Sequence, residues 1–227
     1  MKRLIFIFLA FFLVLSACGI DEESSKNKFE KVLIEGFEGI KKRDNEKIKK
    51  SFGRNSSFLV AKEEKTSGEN KSEEILGSDL YFSEDLFKIY MEKFQYEVDT
   101  IDKVEDFEAN VLIKNLNFKK LIEETLDKVY ESIKKDEEGI AKAKYDKDNF
   151  KSLFLQEFKN LVDNSEDFEE KKVKVRSSSF LWFMSAKEDP ELVNAVYGNL
   201  LNDRDSLEVS IKKKSQAFYE DLNVNRR

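Results

Sequence analysis

The side chains able to do chemistry in this sequence are one cysteine, 46 carboxylates, 40 lysines and arginines, 7 tyrosines and one tryptophan. No histidine accompanies them. That absence removes Ser/His and Cys/His nucleophilic sites, His-ligated zinc and haem, and the commonest general base near neutral pH. Neither GxGxxG nor GxxxxGK[ST] occurs, so no glycine-rich loop for a nucleotide's phosphates is written into the chain. Carboxylate chemistry is what remains. The runs Asp163-Asn164-Ser165-Glu166-Asp167 and Asp146-Lys147-Asp148-Asn149 carry oxygens of the kind that hold Ca²⁺, but neither has the glycine and distal glutamate of an EF-hand loop. Loop and helix-cap roles are favoured there, and no metal or cofactor is expected. Tyr90, Tyr96, Trp182 and Tyr197 pair an apolar ring with a polar tip and are the candidate ligand-binding residues. Their periodicity fits a packed core equally, and core is the favoured account.

Cys18 is defined by what precedes it. Lys2 and Arg3 lead into the uncharged run Leu4–Leu15, and Leu15-Ser16-Ala17-Cys18 then stands before Gly19. A basic start, a short apolar run and a small-residue cleavage site make a secretory signal peptide, too short to cross a bilayer as a stable helix. The four residues ending at Cys18 resemble the lipobox of bacterial lipoproteins. The resemblance implies cleavage before Cys18 and lipid attachment to its sulfur, with fatty-acyl chains such as palmitate anchoring an exported protein to a bacterial cell membrane. Two or more acyl chains, at ~0.8 kcal/mol per buried methylene, suffice for stable residence. With its only cysteine so occupied, the chain forms no intramolecular disulfide and depends on its core for stability.

The net charge of −6 argues against nucleic acid as a partner and against electrostatic adhesion to anionic lipid. Although 38% of residues are charged, 20 phenylalanines supply enough apolar surface for a globular core. One proline and 8 glycines leave few helix breakers.

Elements capable of positioning these residues follow in order. Residues 19–27 are polar and unpatterned and read as a tether. Phe29, Val32, Leu33, Phe37 and Ile40 mark an amphipathic helix, continued by Ile48 and Phe52 after a break near Arg43-Asp44-Asn45. Gly53 to Ser78 reads as a long loop. Ser83 caps a helix carrying Leu86, Phe87, Tyr90, Met91 and Phe94. Period two then predicts a hairpin, Phe94–Val98 and onward against Phe107–Ile113. Thr100 and Asp102 share the inward parity of Phe94, Tyr96 and Val98, so no carboxylate enters the inner face before the strand's end. That is unlike a glycosidase, which needs an acid pair across a cleft. Asn117 caps a helix with the stripe Phe118 to Ile133, and Phe150 to Val162 form another. A second strand pair runs from Phe168 to Arg176 and from Ser179 to Ala186. The charges of the first suggest an edge strand, and the apolar Phe180-Leu181-Trp182-Phe183-Met184 a central one. Asp189-Pro190 opens a helix, and a weaker one follows with Leu207, Ile211, Phe218 and Leu222. The Lys212-Lys213-Lys214 run with Arg226 and Arg227 reads as a solvated basic end.

From Phe94 to Leu200 the order of elements resembles bacterial lipoproteins with a cystatin-like or nuclear-transport-factor-like domain of uncharacterised function. A Tyr/Val strand, Asn115-Leu116-Asn117 entering a helix, a Trp182-centred strand and Asn194-Ala195-Val196-Tyr197-Gly198 in a final helix carry the resemblance. It implies a curved antiparallel sheet around a helix, with a concave face for a ligand or partner.

The expectation is an α+β fold: a signal peptide over 1–17, a lipidated tether over 18–27, a domain over 28–201 with a four-stranded antiparallel sheet packed against several helices, and a C-terminal helical extension over 202–227. The expected function is non-enzymatic: a lipid-anchored envelope module that binds a protein or small apolar ligand. A carboxylate-dependent hydrolase of envelope polymers and an immunity-type, partner-blocking protein are the alternatives.

Overall fold

The computed structural model describes residues 22–59, 83–103, 105–135, 147–180 and 183–224. Cys18, Trp182 and Asp146 lie outside them. The described residues form seven helices and one four-stranded antiparallel sheet, an α+β fold that ends in a long helix.

Helix α1 (Glu22–Lys42) begins inside the stretch read as tether; Glu22 and Glu23 occupy its first turn, where the helix dipole favours acids. It buries Phe29, Leu33, Phe37 and Ile40. Asp44 accepts from the backbone N–H groups of Glu46 and Lys47 and so caps α2 (Asn45–Phe52). The two helices approach closely at Gly36 and Gly39, where a Cβ would strike the Phe52 ring and Lys47 respectively. Ser83 caps α3 (Glu84–Met91), Asn117 caps α4 (Phe118–Lys135) through the Lys120 N–H, and Asp189 caps α6 (Pro190–Val196) with Pro190 at its first position.

The strands β1 (Gln95–Lys103), β2 (Phe107–Leu116), β3 (Phe168–Phe180) and β4 (Phe183–Ala186) neighbour one another in chain order. Val111 of β2 faces Val98 on one side and Val173 on the other. Val111, Ile113, Ala109, Val173 and Val175 form the buried face.

Three expectations fail here for physical reasons. The charged strand β3 is central, and the edges are β1 and β4. Its charges mark an open solvent face, where Glu108 binds Lys174 at 2.7 Å and Arg176 at 2.9 Å across the ladder. Of the apolar stretch expected mid-sheet, Phe180 ends β3, which runs through Ser179, and Phe183 and Met184 lie in the edge strand β4, with Phe180 paired to Phe183. In β1 the register shifts between Val98 and Thr100, so Asp99 is an extra residue that reverses the alternation. Ile101 thereby turns inward, 7% exposed, in place of the expected Thr100 and Asp102.

A helical layer completes the fold. Helix α4 buries the whole predicted stripe from Phe118 to Ile133. Helix α5 (Lys147–Asn164) sets Phe150, Phe154 and Phe158 in a row, with Phe158 edge-on to Phe118 at 6.3 Å. The last helix, α7 (Leu200–Val224), buries Leu207, Ile211 and Phe218 and stacks Phe218 on Tyr130 at 4.2 Å. Each such ring contributes roughly 1.5–3 kcal/mol by leaving water, which ties the last helix into the core.

Candidate functional site

Helix α1 packs over the inner side of the sheet, against β1, β2 and β4, and runs antiparallel to β1. Lys103 binds Glu22 at one end (3.4 Å), and the Tyr96 hydroxyl donates to Glu38 at the other (3.2 Å). The lengths match: 16 helical steps span about 24 Å and seven strand steps about 23 Å. Between the two elements runs a groove of about 520 Å³, lined by Glu30, Ile34, Glu38 and Lys41 from α1 and by Gln95, Tyr96 and Val98 from β1. Those four α1 residues form one stripe at helical spacing, next to the buried one.

Tyr96 builds the groove's inner wall. Its ring stacks on Phe37 at 4.9 Å and lies 6.0 Å from Phe94. Burial first, then the nearby Glu38 charge, pushes its hydroxyl pKa to about 12. Glu38 is held below the usual carboxylate range, chiefly by Lys42, which binds it at 3.0 Å. Ile34 is 42% exposed, one of three large apolar side chains left open to solvent among the described residues. The side chains of Glu30, Lys41 and Gln95 form no hydrogen bond or ion pair among the described residues. No described backbone group pairs with the outer edge of β1.

The other described candidates, Tyr90 and Tyr197, do structural work. Tyr90 is fully buried, edge-on to Phe118, and donates to the Leu116 carbonyl at 2.6 Å. Burial, then the Glu169 charge, raises its pKa well above the ordinary value. Tyr197 packs on Phe58 and Phe87 beside Arg43. Arg43 makes a two-pronged pair with Glu84 (3.0 and 2.7 Å) and lies over the Phe87 ring. Burial works against its charge; Glu84 and Tyr197 more than offset this and leave its pKa raised. Trp182 falls outside the described residues. Of the three described candidates, Tyr96 meets the groove.

Around Tyr90 the α6–α7 joint is fastened to the sheet by amides. Asn115 donates to the Val196 carbonyl at 2.5 Å and accepts from the Leu116 N–H at 3.0 Å. Asn194 accepts from the N–H groups of Leu201 and Asn202, capping α7. Glu169 accepts from Asn117 and Asn199, and Lys171 donates to Asn199. Gly198 and Asn199 both have positive φ, and the Asn199 N–H closes onto the Asn194 carbonyl in a Schellman turn.

The acidic run over 163–167 is engaged with lysines. Asp167 binds Lys120 at 2.6 Å and Asp163 binds Lys159 at 3.3 Å. No group of three metal-ligating side chains gathers among the described residues. No described helix is long and apolar enough to cross a membrane.

The groove residues missed by the sequence reading left one usable signal: Ile34, a large apolar residue one step off the buried stripe of α1. Chemically the groove is suited to holding a ligand. Its carboxylates, Glu30 and Glu38, stand about 12 Å apart along the helix, beyond the ~5–9.5 Å of a glycosidase pair. Glu38 is shifted in the direction opposite to that of a general acid. No protein-family model matches the chain, and no curated protein or solved structure matches it.

Proposed function

We propose that the protein is a lipid-anchored module of the bacterial cell envelope that binds a partner in the α1/β1 groove without catalysing a reaction. The observation that carries the reading is the groove's place: its wall is a helix beginning at Glu22, four residues beyond the lipobox Cys18. The lipobox resemblance supports export and lipid attachment. The exposed Ile34, with hydrogen-bonding groups free on either side, supports binding.

Two measurements test the two halves. In a bacterial host fed labelled palmitate, the wild-type chain should take up label and sediment with membranes, and Cys18→Ala should lose both. A mutant that still sediments would remove the anchor. A photo-crosslinker at position 34 should form protein adducts in cells that one at Val209, an exposed residue of α7 away from the groove, does not. Equal labelling at both positions would remove the groove as the binding site.

A further inference from the structure

We infer that the groove takes an extended protein segment that adds to β1 as a fifth strand, and that the segment carries a cation and an anion on its α1-facing side with an apolar residue between them. The inference rests on the groove being the binding site and names the kind of partner it fits.

Three features of the site point the same way. The first is a free edge. In a ladder, alternate residues turn their N–H and C=O groups away from the paired strand, and on the outer side of β1 no described backbone group receives them. A helix beside an open strand edge is the arrangement in which extended peptides dock, backbone to backbone, with alternate side chains in the groove.

The second is length. The lining residues of β1 run from Gln95 to Val98, and the Asp99 bulge ends the regular ladder just beyond them. A regular edge of four residues pairs with about four residues of extended chain, and bulges are devices that terminate such pairing.

The third is the charge pattern. Because α1 is antiparallel to β1, Glu30 stands toward the Val98 end and Lys41 toward the Gln95 end, with Ile34 between. The side chains of Glu30 and Lys41 make no hydrogen bond or ion pair among the described residues, the Lys41 charge acting on Glu38 only at longer range, and Glu38 between them is engaged by Lys42 and Tyr96. Their spacing along the helix is about 16 Å. Two charges four positions apart on a strand lie on one face about 13 Å apart, and flexible stems cover the difference. A complementary segment therefore has a Lys or Arg opposite Glu30, an apolar residue on Ile34 and Val98, and an Asp or Glu opposite Lys41.

The test uses the full chain in detergent and a fluorescent acetyl-Lys-Thr-Val-Thr-Glu-amide peptide, followed by anisotropy. Saturable binding is expected. It should weaken at least about tenfold when alternate peptide nitrogens on the edge-facing side are methylated, and likewise with Ile34→Lys. Glu30→Lys should lose this peptide and gain Glu-Thr-Val-Thr-Glu. Equal binding of the methylated peptide, or indifference to both substitutions, overturns strand addition. So does the absence of saturable binding. If adducts still form at position 34 in cells, the groove survives as a site with another mode of binding. If they do not, the binding reading falls with it.

Discussion

The α6–α7 joint and the α1–β1 groove are both built where a helix meets the sheet, yet they treat their polar groups in opposite ways. At the joint, Asn115 and Asn194 are buried, and each side-chain amide reaches a backbone group or another side chain. At the groove, the side chains of Glu30, Lys41 and Gln95 make no hydrogen bond or ion pair among the described residues, next to an exposed isoleucine. A buried amide without a partner costs about 1–3 kcal/mol, so the joint must be saturated. Groups facing water carry no such penalty and stay free to meet a ligand. Saturation thus marks architecture here, and open valence marks the groove proposed for recognition.

That contrast can be broken or sharpened by substitution. The largest effect should come from Gly198→Ala. Its φ of +55° disfavours any side chain, and a Cβ would collide with the Tyr90 hydroxyl and the Leu116 carbonyl. A loss of about 3–5 kcal/mol is expected from strain and overpacking together, read from urea unfolding midpoints. Asn115→Ala should follow at about 1–3 kcal/mol, since it abandons the Val196 carbonyl and the Leu116 N–H in the interior. Ile34→Lys, by contrast, should leave stability within about 0.5 kcal/mol while removing ligand binding. A large destabilisation by that change would place the groove on the architectural side of the comparison.

The smallest effect is a titration. Tyr96 should ionise with a midpoint near 12, followed by its absorbance near 295 nm, whereas an open tyrosine ionises near 10. Its contribution to stability is complete below the unfolded value of about 10 and is lost as pH rises from there through the folded value. Glu38→Gln should bring the midpoint part of the way down. Burial is the leading cause, so it should not return fully to 10.

The α+β class, the break near Asp44, the helix caps at Ser83, Asn117 and Asp189, and the stripe of α4 were legible because each depends on neighbours in sequence. The central place of β3 was not, since a charged strand and an edge strand share a composition and only the ion pairs of Glu108 across the ladder tell them apart. Asp99 left no mark either: a bulge is one residue of mismatch between two strands, invisible in one of them. Tyr90 and Tyr197 had the right chemistry for a ligand site but turn inward on Phe118 and Phe58. The groove itself arises from the alignment of α1 with β1, over fifty residues apart in the chain.

That alignment has a mechanical consequence. Any tension on the chain ahead of Glu22 enters the fold along the axis of α1. Because the helix runs antiparallel to β1 from the Glu22–Lys103 contact to the Glu38–Tyr96 contact, the load acts in shear, lengthwise along the whole interface. Phe29, Leu33, Phe37 and Ile40 then resist together instead of peeling away one turn at a time. A pull along that axis would load one wall of the groove lengthwise against the other.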